Sequence, residues 1–341
     1  MATGPKKAKV IPIAAASDTP NSFYDNTMLG TYKRCPREYY LRQVRGWRPE
    51  GLSTALKFGL AWHSAMNVIW QRYGKINNAD LVNLAMISWN DCWTEEGMPG
   101  MDEWNLELEQ QYSPRTPGTA KEMLTQYVVQ REGILKSAKL ESAEQPFAVP
   151  VFPDQPNIWY IGRKDKKILL NGDHIILEHK TTSEYKIDGG FKTSYLESWS
   201  PSSQCEGYLY SSQLSDKVPA RYLWVDAALV HKKVHDKFKF IPIAASGASL
   251  DAFLWEMRDW ILRIRGEVKR LAENSTREQT HMVAFPKNTE QCSGKYGLCG
   301  FINICRSIPR PDLLTEPPGG YIHEPWEPFD TLRMQEAGFK K

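Results

Sequence analysis

The sequence lacks any long hydrophobic run. In its 341 residues no segment approaches the roughly 18 consecutive apolar residues of a membrane-spanning helix. The first residues also lack the apolar core of a secretory signal peptide, since they are basic and then rich in proline, alanine and serine. We therefore expect an intracellular, cytoplasmic protein with no membrane partner. Its 41% hydrophobic and 24% charged residues are typical of a soluble globular fold.

A strong excess of charge of either sign is also absent, because the formal net charge is only +3. The field of the whole molecule therefore argues neither for nor against a nucleic-acid partner. Two local groups of basic residues are more informative. One runs from Lys232 to Lys239 with four lysines, and the other runs from Arg258 to Arg270 with five basic residues. Each group could follow a phosphate backbone, and each could equally be a solvated charged surface.

Closely spaced cysteine pairs are missing as well. Six cysteines in an intracellular chain do not predict a disulfide framework. Their spacing is uneven: Cys292, Cys299 and Cys305 fall within fourteen residues, Cys35 stands alone near the N-terminus, and Cys92 and Cys205 lie in helical patterns. Three clustered thiols leave a tetrahedral metal site one ligand short, so a remote fourth cysteine is required unless an outside ligand takes part.

The most informative segment is the sequence from Ile161 to Ser183. Its centre, Asn171-Gly172, is the dipeptide most favoured for a two-residue type I′ turn, and residues typical of strands lie on both sides. This predicts a β-hairpin in which Leu170 lies opposite Asp173. Since pairing then runs outward two by two, the register of the whole hairpin follows from the turn.

Extending this register places Asp165 opposite Glu178, with Cβ atoms about 4.5–5.5 Å apart, close enough for both carboxylates to bind one divalent cation. Because strand side chains alternate, Lys180 lies on the face of Glu178 and His179 points away. Such charges are also common on a solvated hairpin face. Against that interpretation, Ile175-Ile176-Leu177 leads into the charges and is typical of a buried central strand, where charges are costly unless they bind something.

Two further patterns lie on predicted helices. His63 follows a glycine by one turn in an apolar helix expected from Ala55 to Tyr73, and a small residue there lets another group approach the imidazole closely. A histidine in this setting is more often hydrogen-bonded in a core than bound to metal. Gln204 and Tyr208 lie one turn apart on a helix expected from Ser202 to Ser212, which alone indicates only an amphipathic helix.

The order of these patterns is distinctive. The chain has His63 in a G-x-x-x-H pattern, Asp165 in Gly-Arg-Lys-Asp, Glu178-His179-Lys180 at the end of a buried strand, and Gln204-x-x-x-Tyr208. Over residues 22–308 this resembles the RecB-like branch of the PD-(D/E)XK nuclease superfamily, especially phage-type exonucleases and the nuclease of CRISPR adaptation. The Glu-x-Lys triplet alone is weak, whereas the elements together in this order are fairly specific. The resemblance implies an α/β, restriction-endonuclease-like fold with a mixed central sheet flanked by helices.

The resemblance also implies a metal site. Asp165, Glu178 and the backbone carbonyl of His179 would hold magnesium or manganese, and His63 would be a further ligand. This agrees with the chemistry of phosphodiester hydrolysis, which needs a nucleophilic water and a positive charge to offset the developing negative one. A cation held by carboxylates supplies both.

The remaining residues of the pattern would act around the ion. Lys180 would orient or help deprotonate the water, or would offset charge in the transition state. Gln204 and Tyr208 resemble helix residues that position this lysine and the DNA backbone. An intact Asp165, Glu178 and Lys180 argue against a scaffold that has lost catalysis, because such a scaffold has no need of them.

The cysteines gain a role from the same resemblance. In iron–sulfur members of this branch, one cysteine before the nuclease core and three after it hold a four-iron four-sulfur cluster that joins the two ends of the chain. The corresponding residues here are Cys35, Cys292, Cys299 and Cys305. Four thiolates suit such a cluster or zinc, and the missing tight pair leaves the metal open. Cys92 is the main competitor for the fourth position and Cys205 the lesser one, and the alternative is a small core of unliganded cysteines.

These patterns divide the chain into six expected segments. They are a flexible basic leader (1–22), N-terminal helices with Cys35 and His63 (23–75), a helical insertion (76–145), the nuclease core (146–248), a helix with the cysteine cluster (249–308) and an extended tail (309–341). The cysteine-bound centre would then join the second segment to the fifth.

The resulting hypothesis is an Mg- or Mn-dependent deoxyribonuclease. It would be an exonuclease acting on single strands or duplex ends of DNA in recombination, repair or replication of a phage or mobile element, in the host cytoplasm if phage-encoded. A recombination or replication protein is a further candidate partner. The alternatives are a catalytically inactive DNA-binding scaffold on the same fold, and an endonuclease or CRISPR-adaptation factor that uses the same site.

Overall fold

The computed structural model describes residues 22–51, 53–155, 157–186, 189–294 and 297–327. The leader expected at 1–22 lies outside this part apart from Ser22, as does the expected tail from residue 328 onward. The chain divides into two compact units. Unit 1 contains Met1–Gly51, Pro146–Gly162 and Gly247–Lys341, and unit 2 contains Leu52–Gln145 and Arg163–Ser246. Both units are therefore assembled from stretches that are distant in sequence.

Helices make up the first part of unit 2. They are α3 (Thr54–Arg72), α4 (Asn78–Glu95), α5 (Leu106–Tyr112), α6 (Pro117–Gln130) and α7 (Glu132–Ser137). Helix α3 agrees with its prediction to within one residue at each end. Its apolar side and those of α4 and α6 form a core in which Trp62, Trp89 and Trp93 are fully buried.

The sheet is mixed, as expected. Its strands include β3 (Lys139–Pro150), β4 (Ile158–Leu170), β5 (Asp173–Thr182), β6 (Tyr222–Leu229) and β7 (Phe238–Ile243), in the order β4-β5-β6-β7 with β3 also paired to β4. Strand β5 is antiparallel to β4 and parallel to β6. Strands β3 and β4 run through both units. Strand β3 begins at Lys139, so residues 139–145 of the predicted helical insertion are strand instead.

The predicted hairpin is present. Asn171 and Gly172 have φ angles of +52° and +89°, as a type I′ turn requires, and Leu170 pairs with Asp173. The register continues outward to the pair Lys166 and Leu177. Strand β5 lies between β4 and β6, and its middle residues are buried, which confirms the prediction of a central strand.

Two helices connect β5 to β6. They are α8 (Thr193–Glu197) and α9 (Ser203–Ser215), and α9 is the predicted helix that carries Gln204 and Tyr208. Because β5 and β6 are parallel, the segments that follow them leave the sheet at the same edge. The carboxyl end of β5 therefore faces two connecting loops and the first turn of α9.

The described part of unit 1 begins with a strand, whereas the segment 23–75 was expected to consist of helices. Strand β1 (Ser22–Tyr24) pairs in parallel with the start of β4. Asp25 ends it, because its side chain accepts a hydrogen bond from the backbone N–H of Met28 at 2.7 Å and caps the following helix. The next elements are α1 (Asn26–Arg34), α2 (Pro36–Tyr39), a π-helical turn (Tyr40–Val44) and β2 (Trp47–Pro49).

The C-terminal part of unit 1 begins with the long helix α10 (Gly247–Asn274). Then come β8 (Ser293–Gly294), β9 (Gly297–Leu298), α11 (Ile302–Ser307) and β10 (Tyr321–His323). Strand β10 pairs with β2, so part of the predicted extended tail is a paired strand. No helix in the described ranges is both long and apolar enough to cross a membrane.

Candidate active site

Asp165 lies where β4 and β5 stop pairing. One carboxylate oxygen, Oδ2, accepts a hydrogen bond from the backbone N–H of His179 at 2.9 Å. The same oxygen lies 3.1 Å from Nδ1 of His63 on α3. Two of the predicted metal ligands are thus in contact, and the Asp165 side chain reaches across to the backbone of β5 just beyond the last paired residues.

Glu178 lies at the centre of a second group. Its Oε1 accepts hydrogen bonds from Nζ of Lys180 at 2.7 Å and from Nε2 of Gln204 at 2.9 Å. Nε2 of Gln204 also donates to the hydroxyl of Tyr208 at 3.2 Å. All four residues were predicted from the sequence. The other carboxylate oxygen, Oε2, is buried and has no hydrogen-bond partner among the residues that the structure describes, an arrangement that calls for a ligand or a proton.

His179 points to the opposite face of β5, as the alternation of strand side chains predicted. Its ring is fully buried, with Nδ1 3.4 Å from Oδ2 of Asp226 on β6. Asp226 also accepts hydrogen bonds from the hydroxyl of Tyr127 at 2.6 Å and from Arg131 at 2.7 Å. The middle residue of the Glu-x-Lys triplet, whose backbone carbonyl is a predicted ligand, therefore packs against this network.

Glu144 on β3 is the candidate ligand that the sequence analysis missed. The ligand atoms of His63, Glu144 and Asp165 all lie within 4.8 Å of one another. Glu144 accepts a hydrogen bond from Nδ2 of Asn67 at 2.9 Å and pairs with Nε of Arg163 at 2.7 Å. Its φ angle is +50°, which is uncommon for a residue other than glycine, and backbone strain of this kind clusters at functional sites. The compact group thus contains Glu144 where the predicted ligand set had Glu178.

The two central carboxylates, Asp165 and Glu178, have pKa values shifted in opposite directions. Burial opposes ionisation of Asp165, but the charges of His63 and Lys180 outweigh it and hold the pKa of Asp165 well below its usual range. Burial, together with the negative charge of Asp165, raises the pKa of Glu178 to about 7. Burial likewise opposes the charge of His63, yet contact with Asp165 raises the pKa of His63. Without metal, Asp165 is therefore the ionised carboxylate at neutral pH.

These residues fit a hard divalent cation. Magnesium and manganese prefer carboxylate, carbonyl and water oxygens, and manganese also accepts imidazole. Asp165, Glu144 and Glu178 offer carboxylates, and the unpaired oxygen of Glu178 is a buried acceptor that an ion would satisfy. The donor set at this edge of the sheet therefore suits magnesium or manganese.

The four predicted cluster cysteines all belong to unit 1. Cys35 is buried between α1 and α2, and its sulfur accepts a hydrogen bond from the backbone N–H of Asn288 at 3.4 Å. Cys292 and Cys299 flank the hairpin of β8 and β9, where the N–H of Cys299 donates to the carbonyl of Cys292 at 2.9 Å. Cys305 lies on α11. The two competitors, Cys92 on α4 and Cys205 on α9, belong to unit 2.

The cysteine sulfurs do not form a compact metal site. Within the described ranges, no three thiols have sulfur atoms that all lie within 4.8 Å of one another. A tetrahedral zinc site would hold its thiolates about 3.8 Å apart, so the thiols as they stand do not fit zinc. In a four-iron four-sulfur cluster the thiolates lie further apart than they do around a single ion. The positions of the four thiols give no direct support for such a cluster.

Comparisons with known proteins identify the family. No curated protein matches the sequence. A solved structure named "Crystal structure of SSO0001" is 15% identical, covers 58% of this chain and 83% of that chain, and has a TM-score of 0.26, a likeness too weak to carry any argument. A sequence model described as "PD-(D/E)XK nuclease superfamily" matches residues 27–306, which include every site residue named above. The chain therefore belongs to the PD-(D/E)XK nuclease superfamily.

Proposed function

We propose that the protein is a magnesium- or manganese-dependent deoxyribonuclease, and that it acts as an exonuclease on single strands or duplex ends. The observation that supports this proposal lies where β4 and β5 stop pairing, because Asp165 there accepts the backbone N–H of His179. The neighbours of His179 on the same strand, Glu178 and Lys180, are hydrogen-bonded to each other. Membership of the superfamily supports the nuclease activity. The exonuclease action and the DNA substrate form rest on the resemblance to the RecB-like branch.

Asp165 and Glu178 would hold the ion, with His63 and the carbonyl of His179 as further ligands. The ion would supply a water that is nucleophilic at neutral pH and a positive charge for the transition state. Glu144 would serve as an additional carboxylate on the side of His63 and Asp165. Since contact with Asp165 raises the pKa of His63, His63 must lose its proton before Nδ1 can bind a cation, so metal binding would release protons.

Lys180 would act as a cation in this site. Burial opposes its charge, but the carboxylates of Glu178 and Asp165 outweigh burial and raise the pKa of Lys180. A lysine that stays protonated at neutral pH is a poor general base, so of its predicted roles stabilisation of the transition state is favoured. Gln204, which donates to both Glu178 and Tyr208, would hold the carboxylate in position.

One assay tests the proposal directly. Purified protein with magnesium or manganese is incubated with end-labelled single-stranded DNA, end-labelled duplex and a closed circle. Degradation of the linear substrates but not of the circle is the expected result. Cleavage of the circle would select the endonuclease alternative, and binding without cleavage of any substrate would select the inactive scaffold. Only degradation of the linear substrates but not of the circle agrees with the proposed role in recombination, repair or replication of a phage or mobile element. The proposed partner in that role is a recombination or replication protein.

We further propose that Cys35, Cys292, Cys299 and Cys305 share one four-iron four-sulfur cluster. The resemblance supplies this assignment. The backbone supports it in part, because the N–H of Arg37 donates to the carbonyl of Pro286 at 3.2 Å and Nδ2 of Asn288 donates to the carbonyl of Arg34 at 2.8 Å. The helix break that carries Cys35 is therefore bonded to the segment that precedes Cys292.

A further inference from the structure

Aromatic residues recur in the segment between β5 and α9. They are Tyr185, Phe191, Tyr195 and Trp199. Tyr185 pairs with Phe191 in an isolated antiparallel bridge. The rings of Phe191 and Tyr195 stack with centroids 6.1 Å apart, and the ring of Trp199 meets that of Tyr195 edge to face at 5.9 Å. Phe191, Tyr195 and Trp199 thus form an aromatic row, and the backbone bridge joins Tyr185 to its first member.

Tyr185 lies close to the candidate active site. Tyr185 follows Thr182, the last residue of β5, by three positions, and Lys180 lies on the same strand just before its end. A strand whose phosphate reaches Lys180 would therefore pass close to Tyr185.

A second loop supports Tyr185. It follows β6, and its first residue, Val230, donates its N–H to the carbonyl of Thr182 at 2.7 Å. The ring of His231 meets that of Tyr185 edge to face, with centroids 4.5 Å apart. The next two residues, Lys232 and Lys233, are exposed. The basic group noted in the sequence thus begins next to an aromatic side chain.

The setting of Tyr185 is the observation that points to a ligand. Tyr185 remains 41% exposed although its ring contacts a second aromatic residue, His231. A single exposed tyrosine is common on a protein surface, but this ring is held in place next to the exposed lysines that follow His231. Aromatic side chains alternating with basic residues are the pattern by which proteins bind single-stranded nucleic acid, because unpaired bases stack on the rings and phosphates contact the lysines.

We propose that Tyr185, supported by His231, stacks an unpaired base of the DNA strand whose phosphate lies at Lys180, and that Lys232 and Lys233 bind phosphates of the same strand. This inference rests on the proposed function and makes it more specific. Bases in an intact duplex are already stacked and are not free to contact a tyrosine, so the substrate at the site is a single strand or the frayed end of a duplex.

The test compares two probes that differ only in their bases. Binding is measured by fluorescence anisotropy with a short labelled oligothymidine and with a strand of abasic residues of equal length, in a Lys180→Ala background that prevents cleavage. We expect Tyr185→Ala to weaken oligothymidine binding about 5- to 20-fold, which lies within the range for loss of one base stack, and to leave binding of the abasic strand nearly unchanged. Tyr185→Phe, which keeps the ring, should bind both probes as the parent does.

A matched control and three outcomes make the test decisive. Trp255→Ala removes a more exposed aromatic side chain (69%) on α10 of unit 1 and should change neither affinity. Equal loss with both probes after Tyr185→Ala would overturn the stacking proposal. Unchanged binding of both probes would also overturn it and would leave this surface to a protein partner. If binding depends on the bases but the wild-type protein cleaves no DNA substrate, the proposed nuclease activity is refuted and the stacking role of Tyr185 is retained.

Discussion

Nδ1 of His63 lies 3.1 Å from Oδ2 of Asp165. The helix α3 is thereby fixed against the end of the hairpin, because the same oxygen accepts the backbone N–H of His179. One carboxylate thus joins three segments that carry the predicted metal ligands. His63, which in the sequence alone is indistinguishable from a buried core histidine, contacts a residue of the predicted metal site.

Removal of the lysine amine separates chemistry from binding. Lys180→Ala should abolish cleavage while DNA affinity stays nearly unchanged, because affinity is distributed over many phosphate contacts. Glu178→Ala should lose activity and metal binding together. Single-turnover cleavage, anisotropy with labelled DNA and manganese titration measure the three properties. Full activity in either variant would require a different active site.

The raised pKa of Glu178 predicts how pH affects the metal-free protein. The unfolded chain ionises a glutamate near pH 4.3, whereas the folded chain holds the pKa of Glu178 at about 7. Between these two pH values the folded protein retains a proton on Glu178 that the unfolded chain has lost. The stabilisation that this difference provides is fully present below the unfolded pKa and is lost as pH rises through about 7. Glu178→Gln cannot ionise, so it should lose less stability over that range.

Thermal unfolding in the presence of a chelator at about pH 5 and about pH 8 measures this effect. The wild-type melting temperature should fall between the two values by more than that of Glu178→Gln. Glu256→Gln, which changes an exposed carboxylate on α10, is the control and should follow the wild type. A Glu178→Gln protein that loses as much stability as the wild type would show that Glu178 ionises normally.

The sequence predicts those features of the site that neighbouring residues determine, and it does not predict those that depend on contacts between distant segments. The hairpin could be predicted because Asn171-Gly172 sets its own turn and the turn sets the register. Glu144 could not, because it is one of several polar residues at the start of β3 and its neighbours His63 and Asp165 reach it only through tertiary packing. The sequence does contain a signal for Asp226, because a single carboxylate inside the apolar strand Val225 to Leu229 requires a partner. The identity of that partner could not be inferred.

Glu144 is expected to contribute to metal binding. Glu144→Gln keeps the size of the side chain and removes its charge, so it should weaken manganese binding and slow cleavage about 10- to 100-fold, by analogy with losses around other metal sites. The matched control is Glu141→Gln on the same strand, because Glu141 pairs with His174 and is not part of the compact group. Calorimetric manganese titration measures the affinity. Equal affinity in the two variants would exclude Glu144 as a ligand.

We expect the hydrogen-bond network of Asp226, next to His179, to contribute mainly to the stability of the fold. Asp226 is fully buried and accepts hydrogen bonds from Tyr127 and Arg131. Asp226→Ala would leave the Arg131 charge without its partner, and breaking a buried pair in this way costs about 3–5 kcal/mol. Urea unfolding measures the loss. Asp236→Ala, which removes an exposed carboxylate beside Lys237, should cost little, and equal midpoints for the two variants would contradict the role assigned to the network.

The last prediction concerns Cys35. If it shares a metal centre with the C-terminal cysteines, Cys35→Ser should lower metal content and melting temperature together, because the centre joins the break between α1 and α2 to the segment after Asn288. Anaerobic purification should give a brown, iron-containing protein, whereas a colourless protein with zinc would select the other metal. Cys92→Ser and Cys205→Ser change thiols of unit 2 and should leave the metal content unaltered. Because the thiols as they stand form no compact group within the described ranges, elemental analysis of the purified protein decides the question, and an unchanged metal content in the Cys35→Ser protein would refute the assignment.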